Sequence, residues 1–532
     1  MVNSDVNKDL LKIDIDDIHK DQSINIGIDT INLNKQAIIF VNTKNSAEKT
    51  AEEISKKNIK LINKDNLMVL SNDILDSISK PTKQCKRLSL CVKKGIAFHH
   101  SGLTQKQKDL IQDNFLKGTI KIICATPTLA AGVDLPAFRS IIKDTKRYTK
   151  NGMDYIPVLE FMQMSGRAGR PNFDKIGQAI IICKNENEKE FLIDNYINGK
   201  PEKIYSKIAV EPALRFYLLS LISNNFVKNK KQIINFFSKT FWAYQYEDMN
   251  ELEKIINKML KLLKDYNFIN SSSDGDFDND FVDANEIEDE NFYSTKIGKR
   301  ISQLYIDPLT ANNFILAMKN QKNKTINDFS FIQMICNSNE IRPLLRVKNK
   351  EYDFYNNFLM KNENSIITKI SDSYSYDFDI FLDTVKTSCF FLDWVDEMNE
   401  DEILEKYNIR PGEINYKINI CDWLLYSCIE IAKLLNITEL LNKLNKLRIR
   451  IKYGVKEELL LLLRFKNIGR NRARKLFNNR IKDIKDIKTI DYSSLSSLIG
   501  PRIAKDLKEQ VGEKINVVLK NKRKGQLSIN NF

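Results

Sequence analysis

Two short stretches of this 532-residue chain hold residue types in spacings that suit phosphate chemistry. ATPTLAAGVDLPA runs from Ala125 to Ala137, and QMSGRAGRP from Gln163 to Pro171. In the first, a buried strand is expected to end at Thr126, whose hydroxyl and following backbone N–H groups suit a phosphate oxygen. Gly132 then permits close backbone approach, and Asp134 offers a carboxylate at the strand edge. In the second, Arg167 and Arg170 lie three apart at an expected helix start. That spacing lets both guanidinium groups face one cleft and neutralise a phosphoryl group in transfer. A GRAGR string alone also describes a solvated basic turn. The order of the two motifs and the elements around them weigh against that.

Residues 36–183 alternate short β-rich runs with helical stretches, the mark of a parallel α/β sheet. QAIIFVNT, KGIAFHHSG, IKIICATPT, RSIIKDTKRY and GQAIIICK read as its five strands. SAEKTAEEISKK reads as a helix with Ser46 as N-cap and Glu48 and Glu52 in its first turns. Between the fourth and fifth strands, Asn151-Gly152 with alternating flanks predicts a two-residue hairpin turn. From about residue 205 helices take over. SSSDGDFDNDFVDANEIEDEN is acidic and patternless and reads as a mobile insertion.

The two phosphate-suited stretches match motifs V and VI of superfamily 2 helicases, and IIFVNTKNSAEKTAE and AFHHSGLTQKQKDLIQ resemble the motifs upstream of them. The chain is most similar to the archaeal Ski-like (Hjm-type) DNA repair helicases, relatives of the helicase part of DNA polymerase theta. The resemblance runs from about residue 20 to the end. It implies that Gln163, Arg167 and Arg170 face ATP bound with Mg²⁺, with Arg170 as arginine finger. It puts Gly132 and Asp134 on the nucleotide side and Thr126 on a DNA phosphate. It also makes the hairpin at Gly152 the wedge that parts the duplex, with Tyr148, Met153 and Tyr155 leaning on the first unpaired base pair. An ordinary surface hairpin is the alternative.

No G-x-x-x-x-G-K-[ST] and no D-E-x-H or D-E-x-D string occurs in the sequence. Hydrolysis between two RecA-like domains needs both faces of the cleft, so a polypeptide supplying the first RecA-like domain is an expected partner. Three explanations compete: a helicase encoded as two polypeptides, a truncated gene, or a motor-less DNA-binding relic. The intact arginine motif favours the first two, because a purely binding protein has no chemical need of it.

The expected order of domains is 1–34, a linker or start of the motor domain; 35–200, the second RecA-like domain; and 201–305, a winged helix with the acidic insertion at 271–291. There follow 306–445, a helical ratchet domain; 446–520, a helix-hairpin-helix domain; and 521–532, a basic tail. In the ratchet block, Ile414, Ile418, Cys421, Leu425, Cys428, Ala432 and Leu435 recur at helical spacing and predict a buried stripe. Tyr416 and Trp423 lie on a neighbouring stripe. They suit stacking on bases of a single strand, with Lys417 adjacent, or equally the flank of a core. DWLLYS resembles the ratchet helix of the family, which often has Arg where Tyr416 stands.

IGRNRARKL and IGPRIAKDL align as I-G-x-x-x-A-x-x-L, a tandem helix-hairpin-helix signature. Gly469 and Gly500 each open a helix whose free N–H groups suit a DNA backbone phosphate. Arg470, Arg472 and Arg474 surround the first copy, and Pro501 suits an early position in the second. A hairpin used for packing alone is the alternative. In the tail, Gln526, Ile529 and Phe532 fit the Q-x-x-[ILM]-x-x-F part of a sliding-clamp binding peptide.

A net charge of +14 and a pI near 9.1 suit a polyanionic partner, although Lys, Asn and Ile are abundant throughout. No apolar run approaches the roughly 18–20 residues of a membrane span, and MVNSDVNKDL lacks the layout of a secretory signal, so no membrane partner and a cytoplasmic place are expected. The eight cysteines form no C-x-x-C pair and read as reduced thiols, with no metal site.

The expected fold is thus a multidomain α/β plus α chain: a RecA-like parallel sheet, then winged helix, helical ratchet bundle and helix-hairpin-helix domain. The expected function is the C-terminal part of an ATP-dependent 3′–5′ DNA helicase on single-stranded and forked DNA. A non-enzymatic DNA-binding protein derived from such a helicase, or a Ski-like RNA helicase fragment, is the alternative.

Overall fold

The computed structural model describes residues 14–57, 64–78, 80–149, 152–170, 174, 176–208, 210–246, 249–272, 290–372 and 375–513. It divides into two units, Met1–Val210 with Ile234–Ile255 and Glu400–Lys417, and Glu211–Ile233 with Ile256–Asn399 and Ile418–Phe532.

In the first unit the helices are α1 (Gln22–Asn32), α2 (Lys44–Ser55), α3 (Lys64–Leu75), α4 (Lys83–Val92), α5 (Gln105–Leu116), α6 (Thr128–Gly132), α7 (Val158–Ser165) and α8 (Glu186–Leu192). The strands are β1 (Ala37–Phe40), β2 (Ile96–His99), β3 (Ile122–Ala125), β4 (Arg139–Ile142), β5 (Lys146–Thr149), β6 (Gly152–Tyr155) and β7 (Gln178–Ile181). β2-β3-β1-β4-β7 form one sheet, every pair of it parallel. Every residue of β1 to β4 is buried. Helices cover both faces of such a sheet, which explains the unbroken apolar runs AIIF and IICA. After β1 the chain crosses to β2 on one side, whereas after β3 it crosses to β4 on the other. The C-terminal ends of β1 and β3 are therefore the topological switch point, where open α/β sheets leave a crevice for ligands.

Helix α1 lies in the stretch expected to link or begin the motor domain, and its Ile24 and Ile26 join the sheet core. Arg139 of β4 fastens it, donating to Asp29 and, at 3.0 Å, to Thr30.

Three local expectations need correction. Thr43, not Ser46, caps α2: its hydroxyl accepts from the Ser46 N–H at 3.0 Å, and Glu48 is buried instead of lying on a solvated first turn. RSIIKDTKRY is two strands, β4 ending in the sheet and β5 turning out to pair with β6. In that hairpin Thr149 faces Gly152, so Gly152 belongs to the strand and not to the turn; the two residues between, Lys150 and Asn151, lie outside the described residues. Its φ of +117° is one that L side chains rarely adopt, which explains glycine at that strand end.

The segment expected to form the winged helix contains helices Glu211–Ser223, Lys230–Phe237, Phe241–Tyr246, Met249–Asp265 and Lys296–Leu304. Antiparallel strands Ile269–Ser271 and Phe292–Ser294 bracket the acidic insertion, most of which lies outside the described residues. Farther on, Pro411–Leu434 is one helix of 24 residues. Ile414, Ile418, Cys421, Leu425, Cys428 and Ala432 are buried along it, and Leu435 lies just past its end. The C-terminal repeat is a small core of its own, with helices Arg470–Asn478, Ile484–Thr489, Tyr492–Ile499 and Pro501–Gln510.

Candidate functional site

A buried carboxylate organises the C-terminal edge of the sheet. Glu48, on α2, accepts from His100 Nε2 at 3.1 Å, Arg410 Nε at 3.0 Å and Arg87 Nη1 at 2.5 Å. His100 Nδ1 accepts the Gly102 N–H at 3.1 Å, which leaves Nε2 to carry the proton toward Glu48. Burial works against the Glu48 charge, yet the His100 hydrogen bond and the Arg410 charge outweigh it and hold the carboxyl at about 2. Burial also lowers His99, to about 3, and His100. Packing around Arg410 is close: a Cβ on Gly102 would lie 2.3 Å from Arg410 Cδ, and one on Gly412 would lie 2.3 Å from the Leu103 carbonyl.

Beside this network, at the switch point, lies a cavity of about 840 Å³. Asn42, Thr43, Lys44 and Asn45 follow β1, Ser101 follows β2, and Thr126 and Thr128 follow β3. Gln163 of α7, Arg147 and Glu160, and Asn408, Arg410 and Glu413 complete its wall. The Thr126 and Thr128 hydroxyls lie 3.0 Å apart. Lys44 pairs with Glu413, and Arg147 with Glu160 at 2.7 and 3.0 Å. The cavity is thus lined by hydroxyl and amide groups and by cations paired with carboxylates, and its donors are of the kind that hold a nucleic-acid backbone.

Strand alternation gives the β5–β6 hairpin two different faces. Arg147 and Asp154 pair on one, and Arg147 reaches the cavity. Tyr148 and Met153 pair on the other, 82% and 60% exposed. Tyr155 shares that face but is anchored, with Lys146 Nζ 4.4 Å over its ring and Phe191 at 4.5 Å.

The two motif arginines are not at a helix start. Helix α7 ends at Ser165 with Gly166 as C-cap, and Gly169 has φ +93°, so Arg167 and Arg170 lie in the turn beyond a helix C-terminus. Their partners differ. Arg167 bonds the Ala130 carbonyl and, at 3.2 Å, Asp134, whose side chain is 95% exposed, while its buried Nε has no partner among the described residues. Arg170 grips Asp174 with two bonds of 2.6 and 3.0 Å and donates to Gln36 Oε1 at 2.7 Å, just before β1. Hydrogen bonds from Arg170 and then Lys35 hold Asp174 at about 2. Gln163 thus shares the strand-end cavity with Thr126, whereas Arg170 is held beside the start of β1. Gly132 has open space where a Cβ would stand, consistent with close backbone approach.

Comparison with known proteins gives the family. Residues 21–172 match the helicase conserved C-terminal domain, 177–270 a helix-turn-helix domain, and 329–454 domain 4 of archaeal helicases. The ATP-dependent DNA helicase Hel308 of Methanococcus vannielii is 38% identical over 521 residues, covering 92% of this chain and 67% of that protein. The chain belongs to the Hel308 helicase family. Hel308 of Pyrococcus abyssi is 36% identical over 507 residues and that of Pyrococcus horikoshii 35% over 512, each covering 94% of this chain and 67% of the relative.

Other candidate residues of this Hel308-family chain lie in the second half of the sequence. Tyr416 is exposed, whereas Lys417 beside it is only 5% exposed. Trp423 is half-buried, its Nε1–H donating to the Leu304 carbonyl at 2.9 Å. In the repeat, Gly469 and Gly500 cap their helices without a side-chain hydrogen bond, and both have open space at the Cβ position. Arg472 is exposed and Arg470 lies 4.7 Å over the Trp394 ring. Arg474 is held at 2.7 Å by Glu397 and Glu458, which raise its pKa, so its charge is already matched within the protein. The clamp-peptide residues Gln526, Ile529 and Phe532 lie outside the described residues.

Sequence reasoning missed Asn42, Lys44, Arg147, Glu160, Arg410 and Glu413. Arg147 was within reach, because alternation in a hairpin puts it opposite Tyr148. Arg410 had no local signal: its partner Glu48 is 362 positions away.

Proposed function

We propose that this chain is the strand-gripping and duplex-parting portion of an ATP-dependent 3′–5′ DNA helicase acting on forks and recombination intermediates. The observation that carries the reading is the switch-point cavity, where Thr126, Gln163 and Arg147 converge under a hairpin that exposes Tyr148 and Met153. Single-stranded DNA lies with its phosphates against the cavity donors. Tyr148 and Met153 on the outer hairpin face meet the first base pair, and Trp423 and Tyr416 contact bases of the single strand. The N–H groups opened by Gly469 and Gly500, with Arg470 and Arg472, guide the strand by its backbone.

ATP with Mg²⁺ supplies the driving phosphoryl transfer when bound. Arg167 fits such a group, because its buried Nε lacks a partner among the described residues and Asp134 at its other end is solvated. Arg170 must exchange Asp174 for a phosphate to act as the finger. Turnover needs a phosphate-loop domain facing these arginines, and the tail at Gln526, Ile529 and Phe532 is proposed to hold a sliding clamp.

The test supplies the chain with a phosphate-loop RecA-like domain from a Hel308 relative and measures ATPase with and without single-stranded DNA. DNA-stimulated turnover is expected. Arg170→Ala should lower it by about three to five orders of magnitude while leaving DNA affinity unchanged. Arg170→Lys, which keeps a charge for Asp174 without the planar fork, should fail similarly. Wild-type turnover by either variant rejects the finger, and no binding of single-stranded DNA by the unmutated chain rejects the whole reading. Loss of clamp affinity on deleting residues 526–532 tests the tail.

A further inference from the structure

The chain carries a net charge of +14, yet the cavity proposed to hold a polyanion is nearly balanced in charge. Its three cations, Lys44, Arg147 and Arg410, face Glu413, Glu160 and the buried Glu48 respectively. Arg410 is fixed, with 8% of its side chain exposed and Asn45 on its other end. The other two pairs are different. Arg147 and Glu160 are 42% and 18% exposed, and Lys44 and Glu413 29% and 27%, so water and salt weaken both. Arg147 Nη1 lies within 3.0 Å of both Glu160 oxygens, and a phosphate offers the same pair of acceptors.

We infer that Glu160 and Glu413 are internal stand-ins for backbone phosphates, holding Arg147 and Lys44 in the cavity until a strand displaces them. The inference rests on the proposed DNA-binding role of the cavity. Gripping a phosphate here is an exchange of one anion for another, and the carboxylates are at hand to take the cations back. A strand is held loosely enough to be advanced, and the counterion that a phosphate gives up is matched by one that the freed carboxylate takes up, so neither contact gives a net release.

That last consequence is measurable. On single strands each phosphate-neutralising cation that does release its counterion steepens the slope of log K against log salt by about 0.7. Binding of the full chain to labelled oligothymidine would be titrated from about 50 to 200 mM NaCl. Glu160→Gln with Glu413→Gln keeps shape and hydrogen bonding but removes both charges. The double variant should bind more tightly at low salt, by up to about 30-fold, with a slope steeper by about 1.4. Either single variant should show half that change in slope, which keeps the test usable if the double variant does not fold. An unchanged slope overturns the inference. Arg147→Ala and Thr126→Val are the second arm. If they weaken binding while the Gln variants match wild type, the cavity binds DNA but the carboxylates are not stand-ins. If they too leave affinity unchanged, the cavity reading itself fails.

Discussion

The strand-end cavity and the C-terminal repeat are both proposed to handle phosphates, and they are built in opposite ways. The cavity wall depends on a buried carboxylate, Glu48, that gathers His100, Arg87 and Arg410 from three separate stretches of chain. The repeat rests mainly on apolar packing: Ile468, Ala473 and Leu476 of one copy and Ile499, Ala504 and Leu507 of the other share one core, and Gly469 and Gly500 have open space at the Cβ position. A charge network fails as a unit, because removing one member strands the rest in a medium that penalises unpaired charge. An apolar core loses stability in proportion to the volume removed and leaves the exposed backbone donors where they were. The same ligand chemistry can therefore be presented by a cooperative scaffold or by a modular one.

The largest expected effect attacks the cooperative scaffold. Glu48→Ala should cost about 3–5 kcal/mol in chemical denaturation of the sheet domain, because Arg410 and His100 lose their shared acceptor together. A loss below about 1 kcal/mol would mean that these groups are not coupled and would erase the contrast. Acid probes this network and the neighbouring His99 in two steps. His99 and His100 are held below their ordinary 6.5, so the unfolded chain takes up protons first and stability falls as pH drops from 6.5 toward 3. Glu48 is held at about 2 against an ordinary 4.5, so its contribution is full above 4.5 and is lost toward pH 2. Denaturation midpoints across this range should fall in both windows for the wild type, and Glu48→Gln should shrink the lower one, leaving the share carried by Asp174.

The modular scaffold should respond more weakly and more locally. Leu507→Ala, at a fully buried position of the second copy, should cost about 2–4 kcal/mol, read from hydrogen exchange of the repeat amides, with the protection of the β1 and β3 amides unchanged. Spread of that loss into the sheet amides would show that the repeat does not have a core of its own.

The contrast also explains what could be read from the sequence. The strands were legible because runs such as AIIF and IICA are buried on both faces, and the repeat because every position in I-G-x-x-x-A-x-x-L does one local task. The Hel308-type resemblance followed from such local strings. The charge network was not legible, since Glu48 looked like a helix-dipole residue and its acceptor role needs Arg410 brought from far along the chain. The arginine pair was misplaced for a local reason: Gly166 ends α7 just before it, and Gly169, at φ +93°, turns the chain away. The hairpin slipped by one residue because a glycine suited to a turn serves equally at a strand end where φ is positive.

The smallest expected effect separates the two copies of the repeat. Gly500 has φ +88° and ψ 147°, a region open almost only to glycine, so Gly500→Ala should cost about 1–3 kcal/mol of repeat stability. Gly469 has φ −107° and ψ −175°, extended backbone that any residue adopts, and nothing lies within 4 Å of where its Cβ would be. Alanine is a poorer N-cap than glycine, but it restricts the unfolded chain more, and the two terms nearly cancel; Gly469→Ala should change stability by less than about 0.5 kcal/mol. Neither strain nor packing then accounts for glycine at Gly469. What remains is access, since a methyl there would crowd the N-terminal turn of helix Arg470–Asn478, where a phosphate would approach the backbone. Gly469→Ala should therefore weaken binding of single-stranded DNA while the thermal midpoint stays put. Equal affinity for the two proteins would leave the first copy as packing alone, with phosphate handling in the repeat confined to the second.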